Sequence, residues 1–154
     1  MEWIVERDYA REALPKRDPE GHKGSFGEVL ALAGSAGYTG AAWLTAEGAV
    51  RGGCGLVHLG VPEDIWPVEA VKCTSAMPFP LAAKDGGLAL GALEGIREKL
   101  SRCDVLALGP GLGRRAETAE LVRRLLAETG KSVVLDADGI NALVGHIDIL
   151  DGRR

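Results

Sequence analysis

Two glycine-rich stretches and one acidic pair carry the residue types that hold small molecules. The first is "GSAGYTGAAW", in which Gly34, Gly37 and Gly40 recur at every third position directly after the apolar run "VLALA". The second is "GPGLG", Gly109 to Gly113, again directly after an apolar run. The third is "DADGIN", Asp136 to Asn141, where a valine-rich segment turns abruptly to aspartates. Glycines permit positive φ and let backbone amides approach a ligand, and amides at a helix start attract anions. The chemistry this suggests is recognition, because no Ser/His/Asp or Cys/His constellation can be assembled from spacing.

Each motif also has a purely structural reading. The glycine loop has no lysine after its second glycine, so it is not a Walker loop, and its GxxGxxG stands where a dinucleotide fingerprint has GxGxxG. An acid, Glu63, does follow about twenty residues on, as ribose recognition wants, although Pro62 beside it makes the match poorer. Ala41 and Ala42 leave room for a flat group over the first helical turn; alternatively the glycines only let a helix pack closely on a strand. In "GPGLG" two glycines flank a rigid proline and form a fixed wall, and the alternative is an ordinary strand-to-helix turn. Asp136 and Asp138 are two apart, so in an extended segment they point the same way and suit a hydroxyl, a ribose or a metal. Alternatively Asp138 caps a helix over Gly139 to Leu143. Asp136, at the end of an apolar strand, reads as a buried carboxylate that needs partners. Asn141 closes the motif. His22 and Lys23 read as a solvated loop, His58 as a satisfied core residue, and His146 as part of a ragged end.

These residues need elements to position them. "EVLALAG", "GLVHLGV", "DVLALGPG" and "KSVVLDADG" are short apolar runs ending in glycine, proline or aspartate, each expected to be a strand buried on both faces. Between them the periodicity predicts helices over Gly40–Val50, Leu88–Leu100 with Leu93, Ile96 and Leu100 on one stripe, and Ala116–Glu128 with Leu121, Val122, Leu125 and Leu126 inward. In the last, Glu120 precedes Arg124 by four residues on another face. A shorter helix over residues 8 to 14 stops near Pro15, before an exposed lead-in, "KRDPEGHKGSFG". Val68 to Gly87, with Pro78, Pro80 and the pair Gly86 and Gly87, fits neither template and is expected to hold a short helix plus an excursion. Strands alternating with helices imply an α/β fold, a mainly parallel sheet flanked by helices. Ligands bind such sheets at the carboxyl ends of the strands, so the three bends are expected on one edge.

The chain of 154 residues is 46% apolar, enough for one packed core, with residues 1–27 as an N-terminal helix and lead-in loop. Eighteen basic against 22 acidic residues give a formal charge of -4, and no basic stripe is interleaved with aromatics, which argues against nucleic acid. Cys54, Cys73 and Cys103 show no CxxC or metal-ligand spacing and read as reduced thiols, so no metal site is expected. The start "MEWIVERDYAREALPKRD" is charged too often for a signal peptide or a membrane span, and a cytoplasmic protein is expected.

Taken in order and spacing, "HKGSFGEVLALAGSAGYTGAAWLTAEGAVRGGCGLV", "ALGPGLG" and "VVLDADGINAL" resemble the ADP- or ATP-dependent NAD(P)H-hydrate dehydratases, related to the carboxyl-terminal domain of YjeF proteins. The resemblance runs from about Arg11 to Leu143. It implies a ribokinase-like fold and repair of hydrated NADH or NADPH: the nucleotide phosphorylates the C6 hydroxyl of the hydrated ring, and loss of phosphate restores the dihydropyridine. On motif matching it assigns substrate contacts to Ala42 and Gly111, with Gly34, Gly37, Gly40, Gly109, Asp136, Asp138 and Asn141 as further candidates. ADP or ATP, with Mg2+, is the implied cofactor. The family's TPHPGE segment, its nucleotide-binding lysine-glycine turn and the GTGD motif with the expected catalytic base do not occur in this sequence. The chain therefore reads as the substrate-binding half of a truncated ribokinase-like domain, inactive alone and covered by another copy or chain. Two other readings remain from the residues themselves: a non-catalytic nucleotide-binding or assembly half-domain, and an NAD-dependent oxidoreductase fragment that would use Glu63.

Overall fold

The computed structural model describes residues 6–14 and 16–153, so Pro15, the expected stop of the first helix, lies outside the described residues. In chain order the elements are α1 (Arg7–Ala13), β1 (Glu28–Leu32), α2 (Thr39–Arg51), β2 (Leu56–Pro62), α3 (Trp66–Lys72), β3 (Met77–Leu81), β4 (Ala83–Lys84), β5 (Gly87–Leu88), α4 (Leu93–Ser101), β6 (Val105–Leu108), α5 (Ala116–Glu128), β7 (Ser132–Leu135) and α6 (Asp138–Asn141). Single 3-10 turns lie at Lys23–Phe26, Leu90–Ala92 and Ile147–Leu150.

Five strands form one parallel sheet in the order β3-β2-β1-β6-β7. The chain leaves central β1 toward β2 and β3, then returns across the sheet to β6 and β7. Winding therefore reverses between β1 and β6, and in an open α/β sheet the crevice outside that reversal is where ligands bind. Alternation along β1 builds the two layers: Leu30 and Leu32 enter the core under α4 and α5, while Ala31 and Ala33 join Ala42 and Ala46 of α2 in the second core. The small residues of the second core let α2 lie close to the sheet.

Three expectations change in detail. β3 forms inside the stretch that matched no template. Pro78 and Pro80 hide it from a strand pattern, yet they are two apart on an edge strand, so both missing N–H groups face away from β2 while Met77, Phe79 and Leu81 keep theirs. The predicted helix over 88–100 starts only at Leu93, because Leu88 pairs within the β4–β5 ribbon and residues 90–92 form the 3-10 turn. β7 is not buried on both faces: its residues alternate, and Val134 is 61% exposed.

α3 buries a charge. Glu69 is fully covered; one carboxyl oxygen lies 3.4 Å from Lys72 Nζ and the other has no hydrogen-bond partner. Lys72 also donates to Thr39 Oγ1 at 2.8 Å, so it stitches α3 to α2. Burial pushes the Glu69 carboxyl above the ordinary glutamate range, outweighing the Lys72 charge. A raised carboxyl binds its proton more readily when folded, so the stability it permits is fullest in acid and is lost as pH rises through its folded value. Glu69→Gln should therefore be more stable than the wild-type chain at neutral pH, by about 1 kcal/mol, the scale of an unsatisfied buried polar atom. Urea midpoints of the two proteins should converge toward acid pH.

Candidate functional site

The carboxyl ends of β1, β6 and β7 meet along one rim. Gly34, after β1, adopts φ 82°, and its amide donates to the carbonyl of Pro110 at 2.8 Å. A Cβ on Gly34 would come within 2.7 Å of the Ala42 Cβ, so glycine is required for both conformation and space. The hydroxyl of buried Ser35 donates to the Gly111 carbonyl at 2.7 Å and ties the first bend to the second. The backbones of the second and third bends touch: a Cβ on Gly109, where φ is 134°, would lie 1.8 Å from the carbonyl oxygen of Asp136. The Gly113 amide then donates to the Asp138 carboxylate at 2.9 Å. Every bend is held by its neighbour.

The third bend is strained. Ala137 has φ 47°, a left-handed value for a residue with a side chain, costing on the order of 1–3 kcal/mol. The contortion turns the Asp136 carbonyl toward Gly109 and the Asp138 carboxylate toward Gly113. Asp138 also accepts from Asn141 Nδ2 at 3.0 Å and lies 3.7 Å from Arg114 Nε. It sits within α6 and braces the neighbouring loop; it does not cap its own helix as expected. Asp136, expected to be a buried carboxylate, is exposed, because β7 is the edge strand and nothing covers its end among the described residues.

The first loop divides by face. The Ala42 side chain is 0% exposed and belongs to the core beneath β1, so it does not offer open room for a flat group. The face of the turn toward the second bend is carried by Ala41 and Tyr38: a Cβ on Gly111 would lie 2.7 Å from the Ala41 Cβ and 3.0 Å from that of Tyr38. Gly37 is exposed with φ 88°, and Gly40 is exposed in the first turn of α2 with open space where its side chain would be. Glu63, just past β2, is exposed. Tyr38 was not singled out by the sequence, although an aromatic ring inside a glycine loop is a usable signal; it is 59% exposed at the rim. Arg115 belongs to none of the three motifs. Its guanidinium lies between the Gly113 bend and the turn at Gly86, close enough to clash with a Cβ at Gly113. Among the described residues it has no recorded ion pair, and it offers a positive charge to a rim that carries Asp136 and Asp138.

A hollow of about 150 Å³ lined by Gly113, Arg114, Asp138 and Asn141 opens beside the third bend. Larger hollows of about 440 and 560 Å³ lie around Thr129 to Lys131, at the opposite end of β7. They sit away from the rim and its glycines.

A family model described as NAD(P)H-hydrate dehydratase matches residues 29–153, which include all three bends. The chain belongs to the NAD(P)H-hydrate dehydratase family. Over 145 residues it is 42% identical to the bifunctional NAD(P)H-hydrate repair enzyme Nnr of Moorella thermoacetica, an alignment that takes in 94% of this chain and 27% of that one. The ADP/ATP-dependent NAD(P)H-hydrate dehydratase of Bacillus subtilis, crystallised with ATP and Mg2+, superposes with a TM-score of 0.66 at 29% identity, covering 86% of this chain and 44% of that one. A ribokinase-like superfamily protein from Enterococcus faecalis has the same fold, with a TM-score of 0.77 at 21% identity over 92% of this chain and 47% of that one. The family fold is thus the expected ribokinase-like α/β architecture. The chain spans about a quarter of the length of the bifunctional repair enzymes it matches and under half of the solved dehydratase.

Proposed function

We propose that this chain is the substrate-binding half of an ADP- or ATP-dependent (S)-NAD(P)H-hydrate dehydratase, acting in the cytoplasm on hydrated NADH or NADPH. The observation that carries the reading is the junction of the three bends at the reversal of winding, with Gly37, Tyr38 and Gly40 exposed beside it. In this reading Gly111 and the backbone of the turn at Ala41 and Ala42 form the wall against the hydrated ring. Gly37 and Gly40, with open space where side chains would stand, keep that wall bare, while Gly34 and Gly109 let the bends close on one another. Tyr38 covers the ring, and Arg115 faces the pyrophosphate. Asp136 and Asn141 are exposed acceptors and donors for ribose hydroxyls, with Asp138 bracing the loop behind them.

The nucleotide converts the C6 hydroxyl into a leaving group when bound. No lysine-glycine turn follows the third bend and no GTGD aspartate is present to hold it, so ADP or ATP and Mg2+ are assigned to motifs this sequence does not contain. What this half does is bind and orient the dinucleotide. Isothermal titration of hydrated NADH into the chain should show saturable binding, weakened roughly fivefold in Tyr38→Ala, the scale of one aromatic stacking partner. Absence of saturable binding to the wild-type chain would sink the reading, and an unchanged affinity in Tyr38→Ala would remove the tyrosine from it.

Association with another chain, as a homo-oligomer, belongs to the same reading. Its support is the apolar band of Val134, Ile140, Val144 and Ile147, all exposed along the β7 edge and the segment after it. β3 at the other edge is blunted by its prolines, whereas β7 carries none.

A further inference from the structure

At the end of the sheet opposite the rim, three side chains of metal-ligating type converge. Glu28 opens β1, His58 lies in β2, and Cys103 lies in the turn between α4 and β6. One ligand atom from each falls within 4.8 Å of the others, and this is the one such group among the described residues. His58 Nε2 and Glu28 Oε2 are 3.5 Å apart. Four-coordinate zinc, with bonds to nitrogen, oxygen and sulfur of about 2.0–2.3 Å, sets its ligand atoms roughly 3.3–3.8 Å apart. The His–Glu separation already falls in that range, and the thiol, within 4.8 Å of both, would close the remaining gap on binding.

We propose that Glu28, His58 and Cys103 form a zinc site that pins the amino-terminal ends of β1, β2 and β6, with the fourth position open to solvent. A sulfur ligand beside an imidazole selects a borderline cation such as zinc over Mg2+ or Ca2+, which prefer oxygen alone. Access is from the side of Glu28 and His58, both partly exposed, since Cys103 is fully buried. The surroundings hold the geometry. Asp104 accepts from the Glu28 amide at 2.8 Å, and the Cys103 thiol donates to the Lys99 carbonyl at 3.3 Å. Burial and the nearby Glu28 charge push the Cys103 thiol up. On binding, the S–H proton leaves to solvent, the thiol gives up its bond to the Lys99 carbonyl, and the zinc–sulfur bond forms. The sequence conceals this site because its ligands, at positions 28, 58 and 103, come from three separate elements and follow no ligand spacing.

Cobalt(II) titration of the full chain tests the proposal. One equivalent should bind with a thiolate-to-cobalt charge-transfer band in the near ultraviolet, and zinc should displace it. Cys103→Ser should abolish the band. Cys103→Ser and His58→Gln should each weaken zinc binding at least about tenfold, a loss that outer-sphere partners alone can cause. Cobalt binding without the band, or an affinity unchanged in both variants, would overturn the site by placing the cation elsewhere. If circular dichroism shows Cys103→Ser unfolded, Glu28→Gln serves instead, as its side chain is partly exposed; an unchanged cobalt spectrum and zinc affinity there would equally overturn it.

Discussion

Gly109→Ala should cost the protein more than about 4 kcal/mol and abolish binding of hydrated NADH, an effect in the exceptional range for a single methyl group. Two independent reasons combine at this position. The residue adopts φ 134°, which side-chain-bearing residues avoid, and its Cβ would stand 1.8 Å from the Asp136 carbonyl oxygen. No flexible side chain is available to swing aside, because the obstructing atom belongs to the backbone of the neighbouring bend. The clash can be relieved only by separating the ends of β6 and β7. That would strain the bonds from the Asp136 amide to Leu108 and from the Gly113 amide to Asp138. Gly139 closes the same contact from the other side, where its own Cβ would meet the Leu108 carbonyl at 2.8 Å. Urea unfolding and calorimetric titration of the variant check both halves of the expectation. Gly48→Ala is the control: it lies in the last turn of α2 with nothing near its missing side chain, and it should gain up to about 1 kcal/mol from helix propensity.

The contrast between Gly109 and Gly48 marks what can be read in a sequence. The order strand, glycine bend, helix is legible because apolar runs stop where glycine, proline or aspartate begins, and the α2 and α5 boundaries fall within one residue of their periodicity. The convergence of the three bends follows from parallel strands, since all their carboxyl ends lie on one side. Which face each residue takes within a bend is not legible. Ala41 and Ala42 are equivalent in a motif, yet one helical step of about 100° sends Ala42 into the core and leaves Ala41 beside Gly111. Asp136 looked buried because its strand is apolar, but burial depends on whether another layer lies beyond β7. Ser35 and Arg115 act across the rim through partners 76 residues away and in another turn, and local pattern carries no trace of such contacts.

Gly55→Ala should detach the lead-in segment while leaving the sheet folded, so that trypsin cuts after Lys23 at least about tenfold faster, the factor that corresponds to 1.4 kcal/mol of local opening. Gly55 immediately precedes β2, and its amide donates to the carbonyls of Phe26 and Gly27 at 3.2 and 3.1 Å. The 3-10 turn Lys23–Phe26 therefore lies backbone against backbone on this residue. A Cβ would meet the Lys23 carbonyl oxygen at 1.7 Å. The clash resembles that of Gly109, but its outcome differs because of what can yield. The turn holds no fully buried side chain, so it can lift away without opening either core, whereas the β6 and β7 bends are anchored by the sheet itself. The proximity also explains why "HKGSFG" and "GGCG", far apart in the chain, belong to one recognisable pattern: the second supplies the bare backbone on which the first rests. A variant cleaved at the wild-type rate would mean that the turn tolerates a side chain beneath it. A variant whose urea midpoint collapses along with its protection at Lys23 would mean that the lead-in is integral to the sheet, and the distinction drawn here between the two glycines would fail.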